Sequence, residues 1–391
     1  MVQVPLMILS DAPDQSSGLG RITRDLATML SSHPRFRIAT LGWHGSGSIK
    51  LPFMQYAMGP AEFGEASLPY AWQDFSRGEP GVVMTIWDIS RLLWLARPEY
   101  LQDQDLKQRI IALRQTAKVW GYFPVDSTGP GDRLTTMARE TLLGLDRILV
   151  TSPWAEGVMW RTLGDQACTV RGLTWMPHSI NDQVFNVNGP GPYCTTIGIV
   201  ATNQIRKDWP LAAETCAILK QRIPDLRLWW HVDVDTRHYS IPALLEDFGL
   251  ASITEVTHPP IEDRELAARY RACDVTLQPG SGEGFGYGIF ESFACGVPAI
   301  HGRYASGACL MDTCGLTEYT IPPVAWRYET EFNCVRPVFN PQDWAEKVME
   351  VLAMDNSDLA GKVEHLAVKR LYYPWKRWFE EGISAEKGGA N

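Results

Sequence analysis

The chain has 391 residues, of which 45% are hydrophobic and 21% are charged, and its formal net charge at pH 7 is −9. This composition is typical of a globular protein of about two or three domains and excludes an intrinsically disordered chain. The negative charge disfavours a protein that binds DNA or RNA along a broad face, because polyanions are repelled at long range.

Short apolar runs alternate with helical patterns through the first half of the chain. Strands are predicted at residues 6–10, 37–43, 82–87, 119–123 and 147–151. Helices are predicted at 21–31, 90–96, 106–115 and 134–143, with a polar loop at 11–20 ahead of the first. This alternation predicts a parallel sheet with helices on both faces.

The same alternation restarts near residue 193. Strands are predicted at 195–201, 226–232, 253–256, 274–278 and 297–301, and helices at 210–222, 242–248, 264–272, 287–295 and 341–354. Two glycines and two prolines within residues 186–192 indicate a linker. The fold class is therefore predicted to be α/β, with two doubly wound domains, and ligands are expected beyond the carboxyl ends of the strands.

Cysteine usage and the amino terminus bear on the cellular compartment. None of the eight cysteines forms a CxxC pair, which disfavours a zinc site and favours a reducing compartment. The first residues lack a basic segment, and no apolar stretch reaches eighteen residues. A cytoplasmic protein without stable membrane insertion is predicted.

The segment 278–291 is the most informative stretch of the sequence. It leaves a strand, turns through several glycines and opens a helix, so backbone N–H groups and the positive end of the helix dipole are available to a phosphate. Glu283 lies in the loop and Glu291 on the helix, and either carboxylate could accept hydrogen bonds from sugar hydroxyls. The alternative is that Glu291 pairs with a neighbouring basic residue and the glycines only form a turn.

This segment resembles the acid-x7-acid signature of retaining glycosyltransferases of family 4. The matching residues are Pro279, Ser281, Glu283, Gly284, Phe285, Gly286, Glu291 and the Ala-Cys-Gly-Val-Pro run at 294–298. The resemblance implies the GT-B fold, in which two Rossmann-like doubly wound domains face each other across a cleft. It implies an acceptor domain at 1–188, a nucleotide-sugar donor domain at 193–365, and a final helix at 366–385 that packs back on the first domain.

The resemblance also implies roles for individual residues. Glu291 would hold the ribose of the donor, Glu283 would orient the donor sugar, and Arg206 and Lys207 would stabilise the charge on the leaving diphosphate. Taken alone, Arg206 and Lys207 would be read as ordinary surface charges. The remaining donor-binding positions are Gly18, Gly20, Gly284, Phe285, Gly286 and Tyr287.

Several positions depart from the family pattern or stay open. Relatives carry a histidine in the run around residues 120–126, whereas this chain offers only Asp126, which could replace it or simply begin a turn. Arg21 and His178 are candidate acceptor-contacting or hinge residues. The Gly-Gly pair that follows the 294–298 turn in relatives is absent, and only Gly307 lies in its place.

The function implied is a retaining transfer from a nucleoside diphosphate sugar, hexosyl or pentosyl, without a metal or other cofactor. The acceptor and the oligomeric state are left open. The opening segment is also similar to glycosyltransferases of tailed bacteriophages, so modified pyrimidines in DNA are an alternative acceptor, although the net charge disfavours this. Further alternatives are a nucleotide-sugar epimerase, a glycan phosphorylase and a non-catalytic nucleotide-sugar binding protein.

Overall fold

A computed structural model describes residues 3–45, 47, 49–59, 63–330 and 333–387 of the chain. The chain divides into two compact units. The first unit comprises Met1–Ser179 and Tyr372–Asn391, and the second comprises Ile180–Leu371. The change from one unit to the other falls at residues 179 and 180, ahead of the glycine- and proline-rich segment at 186–192.

The first unit contains a seven-stranded sheet. Its strands are β1 (Val4–Asp11), β2 (Phe36–Trp43), β3 (Met54–Ala57), β4 (Gly81–Thr85), β5 (Ala117–Phe123), β6 (Arg147–Val150) and β7 (Arg171–Trp175). Its helices are α1 (Gly18–Ser31), α2 (Leu68–Ser76), α3 (Leu93–Ala96), α4 (Gln104–Thr116), α5 (Thr136–Leu143) and α6 (Pro153–Leu163). The strand order is β3-β2-β1-β4-β5-β6-β7 and every pairing is parallel.

The second unit contains a six-stranded sheet and a separate hairpin. Its strands are β8 (Thr196–Val200), β9 (Arg227–His231), β10 (Thr254–Thr257), β11 (Val275–Gln278), β12 (Ala299–Gly302), β13 (Thr320–Ile321), β14 (Ala325–Glu329) and β15 (Cys334–Val338). Its helices are α7 (Trp209–Lys220), α8 (Ile241–Asp247), α9 (Asp263–Arg271), α10 (Tyr287–Ala294), α11 (Ala305–Thr313), α12 (Pro341–Leu352) and α13 (Leu359–Val363). The parallel sheet has the order β10-β9-β8-β11-β12-β13, and β14 and β15 pair with each other in antiparallel fashion.

Buried apolar strands form the centre of both sheets. In the first, Leu6 on β1 lies between Ile38 on β2 and Val82 on β4. In the second, Leu277 on β11 lies between Ile199 on β8 and Ile300 on β12, and all three side chains are fully buried. Strands covered on both faces carry continuous apolar runs, which is why the sequence identifies them.

The last helix, α14 (Val368–Lys387), contributes aromatic side chains to the first unit. The Trp375 ring packs edge-on against Tyr122 with centroids 4.9 Å apart, and the Trp378 ring packs edge-on against Trp120 with centroids 5.2 Å apart. The end of β5 and the last helix therefore share one aromatic core.

The prediction of parallel sheets is confirmed, and each predicted strand overlaps an observed one. The loop expected at 11–20 is shorter than predicted, because α1 already begins at Gly18 and places Gly18 and Gly20 in its first turn. The helix expected at 90–96 is a 3₁₀ turn followed by the four residues of α3. The strands β3, β7, β13, β14 and β15 and the helices α2, α6, α11 and α13 were not predicted.

Within the described residues, no helix combines the length and the apolarity needed to cross a bilayer.

Candidate functional site

The candidate site lies at the carboxyl ends of three neighbouring strands in the second unit. A 3₁₀ turn, Ile205–Lys207, follows β8, and the glycine-rich loop 279–286 follows β11. Since β8 and β11 are adjacent in the sheet, the turn and the loop meet at the same edge. His301, near the end of β12, lies next to them because β12 is the other neighbour of β11.

The central contact of the site joins Lys207 and Glu283. Lys207 Nζ donates a hydrogen bond to Glu283 Oε2 over 2.5 Å, and the two side chains are only 14% and 19% exposed. A charge-assisted contact at this distance in a half-buried position is stronger than a surface ion pair. Glu283 and Lys207, predicted separately from the sequence, are therefore direct partners.

The charge of Glu283 is set by two opposing effects. Burial alone would raise the pKa of this carboxyl, but the neighbouring Lys207 and Arg206 outweigh burial and lower the pKa to about 2. Glu283 is consequently ionised throughout the physiological range and accepts hydrogen bonds without acting as an acid.

Arg206 ties the turn after β8 to the loop after β11. Its Nη1 donates to the carbonyl oxygen of Gly282 over 2.5 Å, and its own carbonyl accepts a hydrogen bond from the Ser281 N–H over 2.6 Å. A side chain at Gly280 would come within 2.9 Å of that Arg206 carbonyl, so only glycine fits there. The position of Glu283 is therefore fixed by the backbone of the Arg206 turn.

The glycine loop ends where α10 begins. Gly286 has φ +100°, a left-handed conformation that favours glycine, and it directly precedes the first residue, Tyr287. Phe285 is buried and packs against the rings of Tyr287 and Phe290 at 5.1 Å each. Gly284, Phe285 and Gly286 thus lead the backbone into the amino-terminal end of a helix.

Glu291 lies in the second turn of α10 and is almost completely buried, with 2% exposure. Its Oε2 accepts a hydrogen bond from the Tyr270 hydroxyl on α9 over 3.3 Å. This hydrogen bond joins Glu291 to a tyrosine, whereas the alternative interpretation of the sequence paired Glu291 with a basic residue.

His301 is a residue of this site that the sequence analysis did not select. It is 1% exposed, and its Nδ1 lies 3.1 Å from the carbonyl oxygen of Gln278, so Nδ1 carries the proton. Burial lowers the pKa of His301 to about 4, although the neighbouring carboxylate of Glu283 favours the charged form. The sequence offers one signal for it: Gln278 and His301 are the last residues of two predicted strands, and the structure pairs these two residues across β11 and β12.

The remaining predicted residues lie in the first unit. Ser17 caps α1 by accepting a hydrogen bond from the Gly20 N–H over 3.0 Å, and Ser17 in turn donates to Asp11 Oδ2 over 2.5 Å. A side chain at Gly20 would meet backbone oxygens at 2.7 and 2.8 Å, so this turn requires glycine. Gly18 is exposed and Arg21 half-buried at the same helix end.

Asp126 and His178 occupy different surroundings. Asp126 is half-buried in the loop after β5 and accepts a hydrogen bond from Ser127 over 3.0 Å. His178 is 3% exposed, with Nδ1 2.6 Å from the Tyr122 hydroxyl. The structure therefore brings Arg206, Lys207, Glu283, the 284–287 loop and Glu291 into the second unit, and Gly18, Gly20, Arg21, Asp126 and His178 into the first.

Comparison with curated proteins gives local similarities. No protein-family model matches the chain. A D-inositol 3-phosphate glycosyltransferase from Arthrobacter sp. (strain FB24) is 30% identical over 95 residues, which are 23% of this chain and 22% of that protein. A protein of the same name from Thermobispora bispora is 43% identical over 61 residues, 15% of this chain and 14% of the other. The chain thus aligns with less than a quarter of the length of these relatives.

Comparison with solved structures covers nearly the whole chain. Sucrose-phosphate synthase from Thermosynechococcus elongatus matches with a TM-score of 0.71 and 17% identity over 98% of this chain and 100% of that one. Trehalose 6-phosphate synthase from Burkholderia multivorans matches with a TM-score of 0.67 and 10% identity over the whole of both chains. HepE from Anabaena, solved with UDP, matches with a TM-score of 0.65 and 11% identity over 98% of this chain and 100% of that one. The two Rossmann-like units therefore have the fold of GT-B glycosyltransferases.

Proposed function

We propose that the protein is a retaining glycosyltransferase that moves a sugar from a nucleoside diphosphate sugar to an acceptor. The observation that carries this proposal is the Lys207–Glu283 pair, held by the Arg206 turn beside the glycine-led start of α10. The local likeness to proteins named glycosyltransferases and the fold match to a UDP-bound structure support the same conclusion.

The charges of the site suit a diphosphate. At the Lys207–Glu283 contact the two cations Lys207 and Arg206 adjoin one ionised carboxylate, that of Glu283, and the neighbouring His301 is neutral at pH 7, so positive charge predominates there. The amino-terminal end of α10 adds the positive end of a helix dipole. In the proposed complex Lys207 and Arg206 contact the diphosphate, Glu283 accepts a hydrogen bond from a donor-sugar hydroxyl, and Glu291 binds the ribose.

The proposed reaction needs no covalent enzyme intermediate. The bond between the anomeric carbon and the diphosphate oxygen breaks, and a bond from the acceptor oxygen forms on the same face. The acceptor proton passes to the departing diphosphate, whose added negative charge Lys207 and Arg206 stabilise. The protein positions the reactants and offsets charge, and Gly18, Gly20, Arg21, Asp126 and His178 are proposed as donor- or acceptor-side residues of the first unit.

The test is nucleotide release from a panel of UDP-, GDP- and ADP-sugars, with the accepted donor then used for variants. We expect Glu283→Gln and Lys207→Met each to lower turnover roughly 100-fold or more, because each removes a charge aligned with the reacting groups. The matched control is the exposed ion pair Lys362–Glu318, 3.0 Å apart in the same unit. Glu318→Gln and Lys362→Met should leave turnover unchanged.

Two outcomes would contradict the proposal. Full activity in both Glu283→Gln and Lys207→Met would show that this site does not take part in the reaction. Conversion of a nucleotide sugar to an isomer, without nucleotide release, would identify an epimerase instead.

A further inference from the structure

A fully buried asparagine lies between the end of β8 and the turn that carries Arg206 and Lys207. Asn203 is 0% exposed, although asparagine is a mostly exposed residue type in globular proteins. It follows β8, which ends at Val200, and precedes the turn, which begins at Ile205. A buried amide is costly unless its polar atoms are paired, so its hydrogen bonds show what Asn203 holds together.

Every polar atom of the Asn203 side chain bonds to the loop 233–239, which follows β9. Its Nδ2 donates to the carbonyl oxygens of Val234 over 3.0 Å and Tyr239 over 2.9 Å, and its Oδ1 accepts from the Tyr239 N–H over 3.0 Å. The backbone N–H of Asn203 also donates to Asp233 Oδ1 over 2.6 Å. A side-chain amide offers two N–H donors and one acceptor oxygen, and the loop uses all three.

The same loop also holds the turn itself. The Tyr239 hydroxyl donates to the carbonyl oxygen of Ile205 over 3.2 Å. Within the turn, the Lys207 N–H donates to the Gln204 carbonyl oxygen over 2.9 Å. The loop after β9 therefore fixes the backbone on both sides of Gln204, and the Lys207 side chain extends from this fixed backbone to Glu283.

A fixed backbone matters for Lys207 because its ammonium is carried on a flexible four-carbon stem. The position of such a charge is defined only where both its backbone and its partner are held. Here Glu283 is the partner, 2.5 Å from Lys207 Nζ, and the loop after β9 holds the backbone. A cation fixed in advance stabilises a developing charge without rearrangement, as the departure of a diphosphate requires.

We propose that Asn203 is a positioning residue, which holds the Lys207 ammonium in place by fastening the turn 205–207 to the loop 233–239. Its effect on the reaction rests on the proposed glycosyltransferase function, whereas its effect on the position of Lys207 does not. Since Asn203 is fully buried, it acts through Lys207 and not by contact with a reactant.

The first measurement is the rate at which acetic anhydride acylates Lys207 in the full chain, followed by mass spectrometry of its peptides. In the wild type this amine is hydrogen-bonded and 14% exposed, so its acylation is slow. We expect Asn203→Ala to raise the rate roughly fivefold, because the turn is no longer held. Tyr239→Phe, which removes one hydroxyl, should raise it less. Lys362, 34% exposed in its ion pair with Glu318, is the reference amine in each sample.

The matched control is Asn356→Ala, which removes an amide with a comparable set of hydrogen bonds after α12. Asn356 Nδ2 donates to the carbonyl oxygens of Val351 over 3.0 Å and Met354 over 3.3 Å. Its Oδ1 accepts from the Tyr319 hydroxyl over 2.8 Å. This variant should acylate Lys207 at the wild-type rate.

Turnover with the accepted donor is the second measurement. We expect Asn203→Ala to lower kcat roughly tenfold and to change KM for the donor by less than about threefold, because a displaced cation weakens stabilisation of the charge that develops in the transition state. In the Lys207→Met background, Asn203→Ala should lower kcat by less than about twofold, since its effect passes through Lys207.

The two proposals can fail separately. A wild-type protein that releases no nucleotide from any donor would count against the proposed function, while the acylation rates would still decide the role of Asn203. Three outcomes would overturn that role: equal acylation of Lys207 in Asn203→Ala and the wild type, an equal increase in Asn356→Ala, or multiplied losses of kcat in the double variant. If Asn203→Ala does not fold, Tyr239→Phe provides the same comparisons.

Discussion

Glu283 and His301 show how burial and neighbouring charge act differently on two groups in one site. The cations Lys207 and Arg206 overcome the burial of Glu283 and keep it ionised. Burial of His301 dominates over the attraction of Glu283 and keeps the imidazole neutral. Both groups therefore hold one charge state from about pH 5 upward, so neither changes the charge of the site across the physiological range.

The lowered pKa of His301 predicts acid sensitivity of the fold. A histidine whose pKa falls from 6.5 to about 4 on folding is protonated more readily in the unfolded chain, so stability falls as pH decreases from about 6.5 to about 4. We expect the melting temperature of His301→Asn, which cannot titrate, to fall less than that of the wild type over this window. His231, whose pKa burial also lowers to about 4, leaves a residual slope in both proteins. Identical pH profiles would contradict the assignment.

Gly307 allows His301 to occupy its position. A Cβ atom at Gly307 would lie 2.8 Å from His301 Nε2. We expect Gly307→Ala to destabilise the protein by about 1–3 kcal/mol in urea unfolding, because a packed ring must shift. The control Gly191→Ala, where nothing lies within 4 Å, should be close to neutral.

A double variant tests the cause of that destabilisation. If the clash with His301 is responsible, His301→Ala/Gly307→Ala should lose less stability than the sum of the two single changes. If the stability losses of the two single variants simply add in the double variant, a clash with His301 is not the cause of the Gly307→Ala effect.

Much of the site could be predicted from the sequence because its residues are close along the chain. The loop 279–286 and Glu291 form one contiguous pattern of glycines and carboxylates. The partnership of Lys207 with Glu283 and the position of His301 depend on the order β8-β11-β12, which strand patterns alone do not specify. Arg336 on β15, whose contact with the Ser281 carbonyl oxygen links the β14–β15 hairpin to the site, carries no local sequence signal.

Asp208 caps the start of α7 and directly follows Lys207 of the candidate site. Asp208 adopts a left-handed conformation, φ 45° and ψ 54°, directly after Lys207, and its Oδ1 accepts a hydrogen bond from the Leu211 N–H over 3.4 Å. Asparagine and aspartate tolerate this conformation better than alanine and also cap helices well. We expect Asp208→Ala to cost about 1–2 kcal/mol in urea unfolding and Asp208→Asn only a few tenths. Equal losses would show that the cap and its backbone conformation do not matter.

Elements were predicted where burial gives a periodic or continuous apolar pattern, and were missed where it does not. The central strands β1, β4, β8 and β11 are apolar because both their faces are covered. β14 is exposed at four of its five positions, so its alternation does not distinguish a buried face. The helix α6 was missed although Ser152 caps it and Pro153 opens it, a start signal that the sequence does contain.

At the scale of the whole molecule, the two units have separate hydrophobic cores. A substitution in the core of one unit is therefore expected to destabilise that unit alone. Trp375, 2% exposed, packs in the first unit, and Trp344, fully buried, packs in the second. We expect Trp375→Ala to remove about 3–5 kcal/mol of stability from the first unit. Hydrogen exchange should then rise in β1, β4 and β5 while residues 180–371 stay protected. Trp344→Ala should give the reverse pattern, and uniform loss of protection in either variant would mean that the units unfold as one.

The first unit is interrupted in the sequence by the whole of the second, and this affects its biosynthesis. Trp120 and Tyr122 emerge from the ribosome some 250 residues before their partners Trp378 and Trp375. At about 5–20 residues per second this delay lasts roughly 10–50 s. During that time the second unit can fold to completion, while the nascent first unit still lacks the aromatic side chains of α14 that complete its core.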